Sequence, residues 1–117
     1  MIPEAHPKNR PEGRHSYVLA IDLGSGGHKI ALVSDTGHVV ASADEQVATQ
    51  MLPGGGAEQD PDEWWQKTLS GSRKVLAAAK IPIEDIVAIA CDSQWSLAVP
   101  VDQNGHHLMN AIHWLDT

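Results

Sequence analysis

The segment 17–33 constrains the fold of this chain more than any other, because two apolar runs meet there through a glycine-rich corner. Residues 18–21 and 30–33 each have the length and composition of a buried strand. Glycines in the corner permit positive φ angles and let backbone N–H groups face an approaching anion. The segment therefore predicts a β-hairpin, which is either an ordinary hairpin with a glycine-rich turn or one that cradles a phosphate group.

Five residues of this corner are candidates for phosphate chemistry. Asp22 lies where the first strand ends, so its carboxylate could reach a cation that bridges phosphates. Gly24 and Gly26 leave space beside the backbone on either side of Ser25, and Lys29 adds a positive charge nearby. Because glycine-rich turns are common and phosphate cradles are not, the corner alone slightly favours the ordinary hairpin.

The charge and the cysteine content of the chain exclude several classes of partner. Eight basic residues against fifteen acidic ones give a net charge of −7, which argues against nucleic acid or an anionic membrane as a general partner. The single Cys91 cannot form an internal disulfide, as is typical of a reducing compartment. No apolar run approaches the roughly 20 residues of a membrane span, and no signal peptide is visible. We expect a cytoplasmic protein.

Residues 1–16 differ from the rest of the chain, since they contain three prolines and show no hydrophobic periodicity. We predict a disordered extension there. The remaining residues, 17–117, have the size of a single domain.

The pattern after the first hairpin predicts a third strand, a loop and a helix. The third strand spans about residues 38–47, and residues 51–59, with three consecutive glycines, form the loop. Asp60 is a suitable N-cap, Pro61 fits the first helical position, and Glu63 occupies the place of a capping-box partner. One helical stripe contains Trp65, Leu69, Ser72, Leu76 and Ala79, with Val75 and Ala78 beside it.

Two features of this helix concern its packing and its end. Gly71 weakens the middle of the helix by about 1 kcal/mol relative to Ala, which indicates a close backbone contact. Pro82 ends the element. We expect the side chains of Trp64 and Trp65 to pack between the helix and the sheet.

The last third of the chain predicts three more strands. Residues 86–91 form a continuous apolar run, typical of a central strand buried on both faces and parallel to the first, with Cys91 as a small buried residue. Residues 97–101 predict a further strand, 102–105 a hairpin-type turn and 111–115 another strand. The predicted order is β-β-β-α-β-β-β, a mixed sheet with one helix on it. Because one helix covers only one face, the other face predicts association or poor solubility.

Four motifs then agree with one family in order and spacing. They are Ile-Asp-Leu-Gly-Ser-Gly-Gly-His-Lys from residue 21, Glu-Gln-Asp-Pro-Asp-Glu-Trp-Trp from 58, Ile-Ala-Cys-Asp-Ser-Gln-Trp-Ser from 89 and Ala-Ile-His-Trp-Leu-Asp from 111. With them the chain resembles the N-terminal part of the FGGY carbohydrate kinases, in particular xylulokinase-like members. The resemblance implies an α/β fold with a ribonuclease-H-like (actin-like ATPase) core, of which residues 17–117 form an incomplete first domain.

The resemblance also implies an activity, the transfer of the γ-phosphoryl group of ATP to a hydroxyl of a sugar or polyol with Mg²⁺. In such kinases the matched hairpin faces the phosphates of ATP. Asp22 would lie near Mg²⁺ or its water shell, and Lys29 near the transferred group. Gly24, Ser25 and Gly26 would present backbone amides and a hydroxyl to phosphate.

Two further segments match parts of the family that face the substrate. Gln94, Trp95 and Ser96 match a loop that often contacts the sugar, and Trp114 and Asp116 match a second substrate-facing segment. Xylulokinase-like members usually have Met-His, and glycerol kinases Arg-Glu, where this chain has Trp95 and Ser96. This departure leaves the identity of the polyol open and argues against glycerol.

The general base of the family is an Asp far downstream, and no Asp here matches it. We therefore expect the base beyond Thr117, no catalytic residue within these residues and little activity of the isolated chain. The expected partners are a sugar or polyol and either the missing C-terminal half of the kinase or a second copy of the chain.

Three interpretations remain. The leading one is part of a carbohydrate kinase, as a truncated or split protein or a fragment of a gene model. The second is a non-catalytic remnant or interaction module with the same fold. The third, another actin-like ATPase, is disfavoured by the motifs from residues 58 and 111.

Some individual side chains also keep two interpretations. Asp92 follows a strand and either approaches the cleft or forms a turn. The seven histidines show no ligand spacing with cysteine or carboxylates in the sequence, and we expect His106 and His107 to be solvated.

Overall fold

The computed structural model describes residues 13–117, and most of the predicted N-terminal extension, residues 1–12, lies outside this range. The last residues of that extension contact the rest of the protein. Arg14 forms an ion pair with Asp85, and the backbone N–H of Ser16 donates to the carboxylate of Asp35 at 3.0 Å.

Residues 13–117 contain seven strands and one α-helix: β1 (Tyr17–Gly24), β2 (Gly27–Ser34), β3 (Val39–Gln46), β4 (Gln50–Met51), β5 (Ala57–Gln59), α1 (Pro61–Ala79), a 3₁₀ turn (Ile83–Asp85), β6 (Ile86–Ser93) and β7 (Ala111–Ile112). The main sheet has the strand order β3-β2-β1-β6. Strands β1, β2 and β3 pair antiparallel, and β6 pairs parallel with β1. The predicted meander and the predicted parallel strand are therefore confirmed.

The helix begins as its sequence predicts. Oδ1 of Asp60 accepts the backbone N–H of Asp62 at 2.9 Å, and Pro61 occupies the first turn. The capping-box prediction for Glu63 is wrong, because its carboxylate instead accepts the backbone N–H of Ala48 at 3.2 Å. The helix ends at Ala79, before Pro82, with Lys80 in the left-handed conformation at φ 52°. No helix within residues 13–117 is both long and apolar enough to span a bilayer.

The buried face of α1 differs from the predicted stripe by about one residue. Gly71 and Val75 are the buried residues of the helix, whereas Trp65 is 64% exposed. Adjacent Trp64 is only partly buried and donates its indole N–H to Gln59. One residue rotates a helix by about 100°, so the two tryptophans point in different directions and the packing prediction is wrong for Trp65.

A small apolar core lies between α1 and the first three strands. Leu19, Ile30, Leu32 and Val75 form its buried cluster. A Cβ at Gly71 would lie 2.5 Å from Cδ1 of Ile30, closer than any real contact. Gly71 thus permits the close approach of the helix to the sheet that its position in the sequence predicts.

Strand β6 differs from its prediction, because it lies at the edge of the main sheet in the described part of the chain. Most of its residues are exposed, including Val87, Ile89 at 68% and the free Cys91. The predictions of a central strand and of a buried Cys91 are therefore wrong here. The physical reason is that α1 packs mainly on β2 and β3 and does not reach over β6.

A second, three-stranded sheet replaces part of the predicted loop 51–59. Strands β4 and β5 form a short hairpin, and β7 pairs with β5. The predicted strand 97–101 is reduced to isolated bridges at Ala98 and Val101, and the predicted strand 111–115 to two residues. The turn at 102–105 is confirmed, since Gly105 donates its N–H to the carbonyl of Asp102 at 3.1 Å and has φ 84°.

His28 is a buried polar residue beneath the helix. It is fully buried, and its Nδ1 lies 3.1 Å from Oγ1 of Thr68 on α1. Burial lowers the pKa of His28, because charging an imidazole out of water is costly, and the charges of Asp22 and Glu63 offset this only in part.

We predict that Gly71→Ala destabilises the protein by about 1–3 kcal/mol through overpacking, despite the higher helix propensity of alanine. Chemical denaturation measures the free energy of unfolding. Because the clash is with Cδ1 of Ile30, Ile30→Val should cost less in the Gly71→Ala background than in the wild type. Arg73→Ala, at an exposed position of the same helix, is the control and should change stability by less than about 0.5 kcal/mol. Equal stability of Gly71→Ala and wild type would contradict the packing argument.

We predict that His28 makes the free energy of unfolding fall as the pH drops below 6.5, the ordinary pKa of histidine. The folded-state pKa is the lower one, so the unfolded chain binds more protons in this window and acid favours it. The measurement is the difference in unfolding free energy between wild type and His28→Leu at pH 7.5 and pH 5.5, in which the contributions of other groups cancel. Thr68→Val is the control, since it removes the hydrogen-bond partner but keeps the titrating group. A difference that does not change with pH would contradict the prediction.

Candidate functional site

Three charged side chains form a row across the open face of the main sheet. Asp22 on β1 is directly opposite Lys29 on β2 and beside Asp92 on β6 in the strand register. Nζ of Lys29 lies 3.5 Å from Oδ2 of Asp22. Successive side chains of a strand point to opposite faces, so this row lies on the face away from the buried Leu19 and Ile30. The strand ladder therefore fixes the positions of these charges.

A cavity of about 400 Å³ opens beside this row. The cavity is lined by the three charged residues and by parts of five neighbours, of which three are alanines: Ala20, Ile21, Asp22, Lys29, Ala31, Ala90, Cys91 and Asp92. Because the alanines are short, a ligand can approach the sheet closely. Asp92 accepts the backbone N–H of the adjacent Ser93 at 2.8 Å, and both residues lie within β6, so Asp92 lies at the cavity and the alternative of a turn is wrong.

The glycine-rich corner is a two-residue connection, in which Gly24 pairs with Gly27 and Ser25 and Gly26 form the turn. Of the corner glycines, Gly27 has a positive φ, at 158°, whereas Gly24 and Gly26 do not. Space explains Gly24 instead. A Cβ there would lie 2.9 Å from the carbonyl oxygen of Gly27, 3.6 Å from Nζ of Lys29 and 3.7 Å from Oδ1 of Asp22. Its absence leaves a cradle beside the Asp22–Lys29 pair.

Ser25 connects this corner to both predicted substrate segments. Its Oγ accepts the indole N–H of Trp114 at 2.9 Å, which leaves the hydroxyl hydrogen free to donate to a ligand. Its backbone carbonyl accepts a hydrogen bond from Nε2 of Gln59 at 2.8 Å, and Gln59 in turn contacts Gln94.

Gln59 is the residue that the sequence analysis missed. It lies at the end of β5, is fully buried, and contacts Ser25, Thr49, Trp64 and Gln94 through its side-chain amide. Periodicity gave no signal, because the residue falls in a segment interpreted as a loop. Its place in the Glu-Gln-Asp-Pro motif, immediately before a helix cap, was the only available indication.

A second cavity, of about 300 Å³, brings together three of the five predicted substrate residues. Ser96, Trp114 and Asp116 line it, while Gln94 belongs to the network of Gln59 and Trp95 is 85% exposed to solvent. Ser96 has φ 56°, an unusual backbone angle for a residue other than glycine. Asp116 also accepts the backbone N–H of Ala57 at 3.1 Å, which fixes its carboxylate against the second sheet.

Two histidines lie close to this region. His107 and the carboxylates of Asp60 and Asp62 bring three possible metal-ligating atoms within 4.8 Å of one another, a grouping that the sequence spacing did not indicate. Nε2 of His107 lies 3.3 Å from Oδ2 of Asp62, and this carboxylate raises the pKa of His107. His113 is almost fully buried, and burial lowers its pKa. Its Nδ1 accepts the backbone N–H of Leu115.

The chain matches the N-terminal domain of the FGGY family of carbohydrate kinases over residues 17–117. It is 35% identical over 100 residues to a xylulose kinase of Staphylococcus epidermidis, with 86% of this chain and 20% of that protein covered. It is 35% identical over 105 residues to a glycerol kinase of Koribacter versatilis, with 88% and 21% covered. A crystal structure of a xyloylose kinase from Brucella ovis superposes with a TM-score of 0.82 at 27% identity and covers 86% of this chain and 21% of that one.

These matches confirm the predicted fold class, an α/β fold of the actin-like ATPase type with a mixed sheet. The chain spans about a fifth of the length of the curated relatives that it matches. Because the family match includes every strand, the helix and both cavities, the chain belongs to the FGGY family of carbohydrate kinases.

Proposed function

We propose that this chain supplies the phosphate-facing wall of a kinase that transfers the γ-phosphoryl group of ATP to a hydroxyl of a sugar or polyol. The observation that carries the proposal is the Asp22–Lys29 pair beside the cradle at Gly24, at the open edge of the glycine-rich corner. The relatives named above are xylulose and glycerol kinases, which supports a small polyhydroxylated substrate.

The residues present fit a magnesium-bound polyphosphate. Carboxylate oxygens are preferred ligands of Mg²⁺ and its water shell, and Asp22 offers its carboxylate beside the space that Gly24 leaves. Bound Mg²⁺ would neutralise phosphate charge near Asp22. Lys29 would contribute a positive charge to the same group, and the Ser25 hydroxyl would donate a hydrogen bond.

The row formed by Asp22, Lys29 and Asp92 also indicates why nucleotide binding would need a cation here. Asp22 and Asp92 carry two negative formal charges and Lys29 carries one positive charge, so the row is negative without a cation. A polyphosphate approaching it would be repelled by the two carboxylates. A divalent cation reverses this balance, so nucleotide binding at the corner should depend on the metal.

The second cavity is the proposed site of the sugar or polyol. The face of Trp114 can lie against the C–H side of a polyol, and Ser96 and Asp116 can form hydrogen bonds with its hydroxyls. The hydrogen bond from Trp114 to Ser25 connects this cavity to the phosphate corner. Phosphoryl transfer depends on positioning the two substrates relative to each other, which is what this connection would provide.

We place the general base and the adenosine-binding parts outside residues 17–117. This placement agrees with the fraction of the relatives that the chain covers, about a fifth. The isolated chain would then bind ligands without turning them over, and its partner would be the remainder of the kinase. The comparisons give no support to the alternative of a non-catalytic remnant.

We predict that Mn²⁺·ATP, as a paramagnetic substitute for Mg²⁺·ATP, broadens the amide NMR signals of the corner from Asp22 to Lys29. Asp22→Asn should weaken this metal-dependent binding about tenfold, which corresponds to about 1.4 kcal/mol, because it removes the charge that holds the cation. Lys29→Met should weaken the binding of ATP but not of the free cation.

The control is Glu84→Gln, a charge-neutralising change at an exposed position of the 3₁₀ turn, which should leave the broadening unchanged. Broadening centred on Asp60, Asp62 and His107 rather than on the corner would place the cation at the other group of possible ligands and contradict the proposal.

A further inference from the structure

We propose that Gln59 is a positioning residue for the glycine-rich corner: it selects the orientation of the Ser25–Gly26 peptide in which the N–H of Gly26 faces a bound phosphate group. The inference deepens the proposed function and rests on it, since it assigns what holds one backbone donor toward the nucleotide. Three observations carry it, namely the φ angles of the turn, the burial of Gln59 and its hydrogen bond to the carbonyl of Ser25.

The turn at the corner has an uncommon backbone for its length. Ser25 and Gly26 are its two central residues, and neither has a positive φ. Two-residue hairpins usually contain type I′ or II′ turns, in which at least one central residue has a positive φ, because those turns match the twist of the strands. The angles here fit a type I turn, which is less favourable in so short a hairpin. Contacts outside the turn therefore have to hold it.

A type II turn is the accessible alternative, and one peptide distinguishes it from type I. The two types differ mainly in ψ of the first central residue and φ of the second, so they interconvert by rotation of the peptide between them. Type II needs a positive φ at the second central residue, which here is Gly26, and glycine adopts that angle at little cost. The corner therefore contains a peptide that can rotate unless a contact fixes it.

Gln59 makes the contact that fixes this peptide. Its Nε2 donates to the carbonyl oxygen of Ser25 at 2.8 Å, and Gln59 is fully buried. Its Oε1 accepts the indole N–H of Trp64 at 3.1 Å. Because an indole N–H can only donate and a backbone carbonyl can only accept, the amide cannot flip without losing both hydrogen bonds. The side chain of Gln59 therefore presents a donor, and never an acceptor, to the carbonyl of Ser25.

The direction of this carbonyl determines the direction of the next N–H. In a planar trans peptide the C=O and N–H bonds point in opposite directions, and residues 13–117 contain no cis peptide. Because the carbonyl of Ser25 points toward the buried Gln59, the N–H of Gly26 points away from it. Gly26 is exposed, and its N–H donates to no acceptor among residues 13–117. This N–H is therefore a free donor for an approaching anion.

The opposite orientation of the peptide would disfavour phosphate. It would direct the carbonyl of Ser25 outward, and the negative end of that dipole repels phosphate oxygens. It would also turn the N–H of Gly26 toward the NH₂ group of Gln59, so that two donors would face each other without an acceptor. Gln59 thus penalises the orientation that repels phosphate and stabilises the one that binds it.

NMR of the ligand-free chain tests the orientation directly. The ψ angle near +120° of a type II turn brings Hα of Ser25 close to the amide hydrogen of Gly26 and gives a strong nuclear Overhauser effect (NOE) between them, whereas type I gives a weak one. We expect a weak NOE in the wild type and a stronger one in Gln59→Met, which keeps the side-chain length but removes the donor. Gln66→Met makes the same change at an exposed position of α1 and should keep the weak NOE.

Titration with Mg²⁺·ATP tests the consequence for binding. Gln59→Met should bind about tenfold more weakly, because a carbonyl replaces a backbone donor. Gly26→Ala disfavours the positive φ of the rotated peptide, restores no hydrogen bond of Gln59, and has room for its Cβ. In the Gly26→Ala background, Gln59→Met should therefore cost less than about threefold. A purely structural role of Gln59 would cost the same in both backgrounds.

Gln59→Glu covers the case in which Gln59→Met does not fold, since it keeps acceptor oxygens for Trp64 and Gln94. Once ionised, its carboxylate is repelled by the carbonyl of Ser25 and can accept the N–H of Gly26. The ionised variant should therefore give the strong NOE. Gln66→Glu is the matched control and should keep the weak one.

The inference is overturned by a strong NOE in the wild type, by a weak NOE in folded Gln59→Met or ionised Gln59→Glu, or by a tenfold loss that persists in the Gly26→Ala background. The NOE needs no ligand, so these results leave the proposed function standing if Mn²⁺·ATP still broadens the corner. A wild-type chain whose corner Mn²⁺·ATP does not broaden instead overturns the proposed function.

Discussion

The side-chain amide of Gln59 is the interaction on which the arrangement of the segments around the glycine-rich corner depends. It connects four parts of the chain that are distant in sequence: the corner at Ser25, the segment before β4, the first turn of α1 and the loop after β6. Leaving any one buried partner without its hydrogen bond costs about 1–3 kcal/mol, so the four parts are strongly favoured in one arrangement. The Trp114–Ser25 hydrogen bond joins the same corner to the second cavity, whose lining includes Trp114.

The two faces of the main sheet differ: one is buried against the helix, and the other carries the charged side chains of the candidate site. The first face contains Leu19, Ile30 and Leu32. The second face carries the row of Asp22, Lys29 and Asp92, next to the short side chains of alanines. Leaving part of the sheet uncovered costs stability, because the apolar side chain of Ile89 on β6 stays exposed to water at the sheet edge. Association or poor solubility through the face that the helix leaves uncovered remains a prediction of the sequence analysis.

Local features of the fold could be predicted from the sequence, whereas non-local pairings could not. The hairpin, the cap at Asp60 and the close contact at Gly71 each have a signature within a few residues. The helix face was misjudged by one position, because Trp64 and Trp65 are both apolar and either fits a stripe. The contact of Gln59 with Ser25 spans 34 residues and has no local pattern. Strands β4 and β7 have only two residues each and are defined by their pairing with β5, so no hydrophobic periodicity could predict them.

Gly24 is needed for a different reason than the sequence suggests, because it provides space rather than a special backbone angle. Positive φ would make glycine necessary for the backbone angle of the turn, but Gly24 has an ordinary backbone angle and is needed for space. The charges beside it are held by the ladder between β1 and β2, with Asp22 paired to Lys29 in register. Because backbone hydrogen bonds set the positions of the strands before a ligand arrives, ligand binding would have to order only the exposed side chains of Asp22 and Lys29. In the proposed function, a corner built in this way would position phosphate through the sheet itself, because Asp22 and Lys29 lie near the strand ends beside the turn.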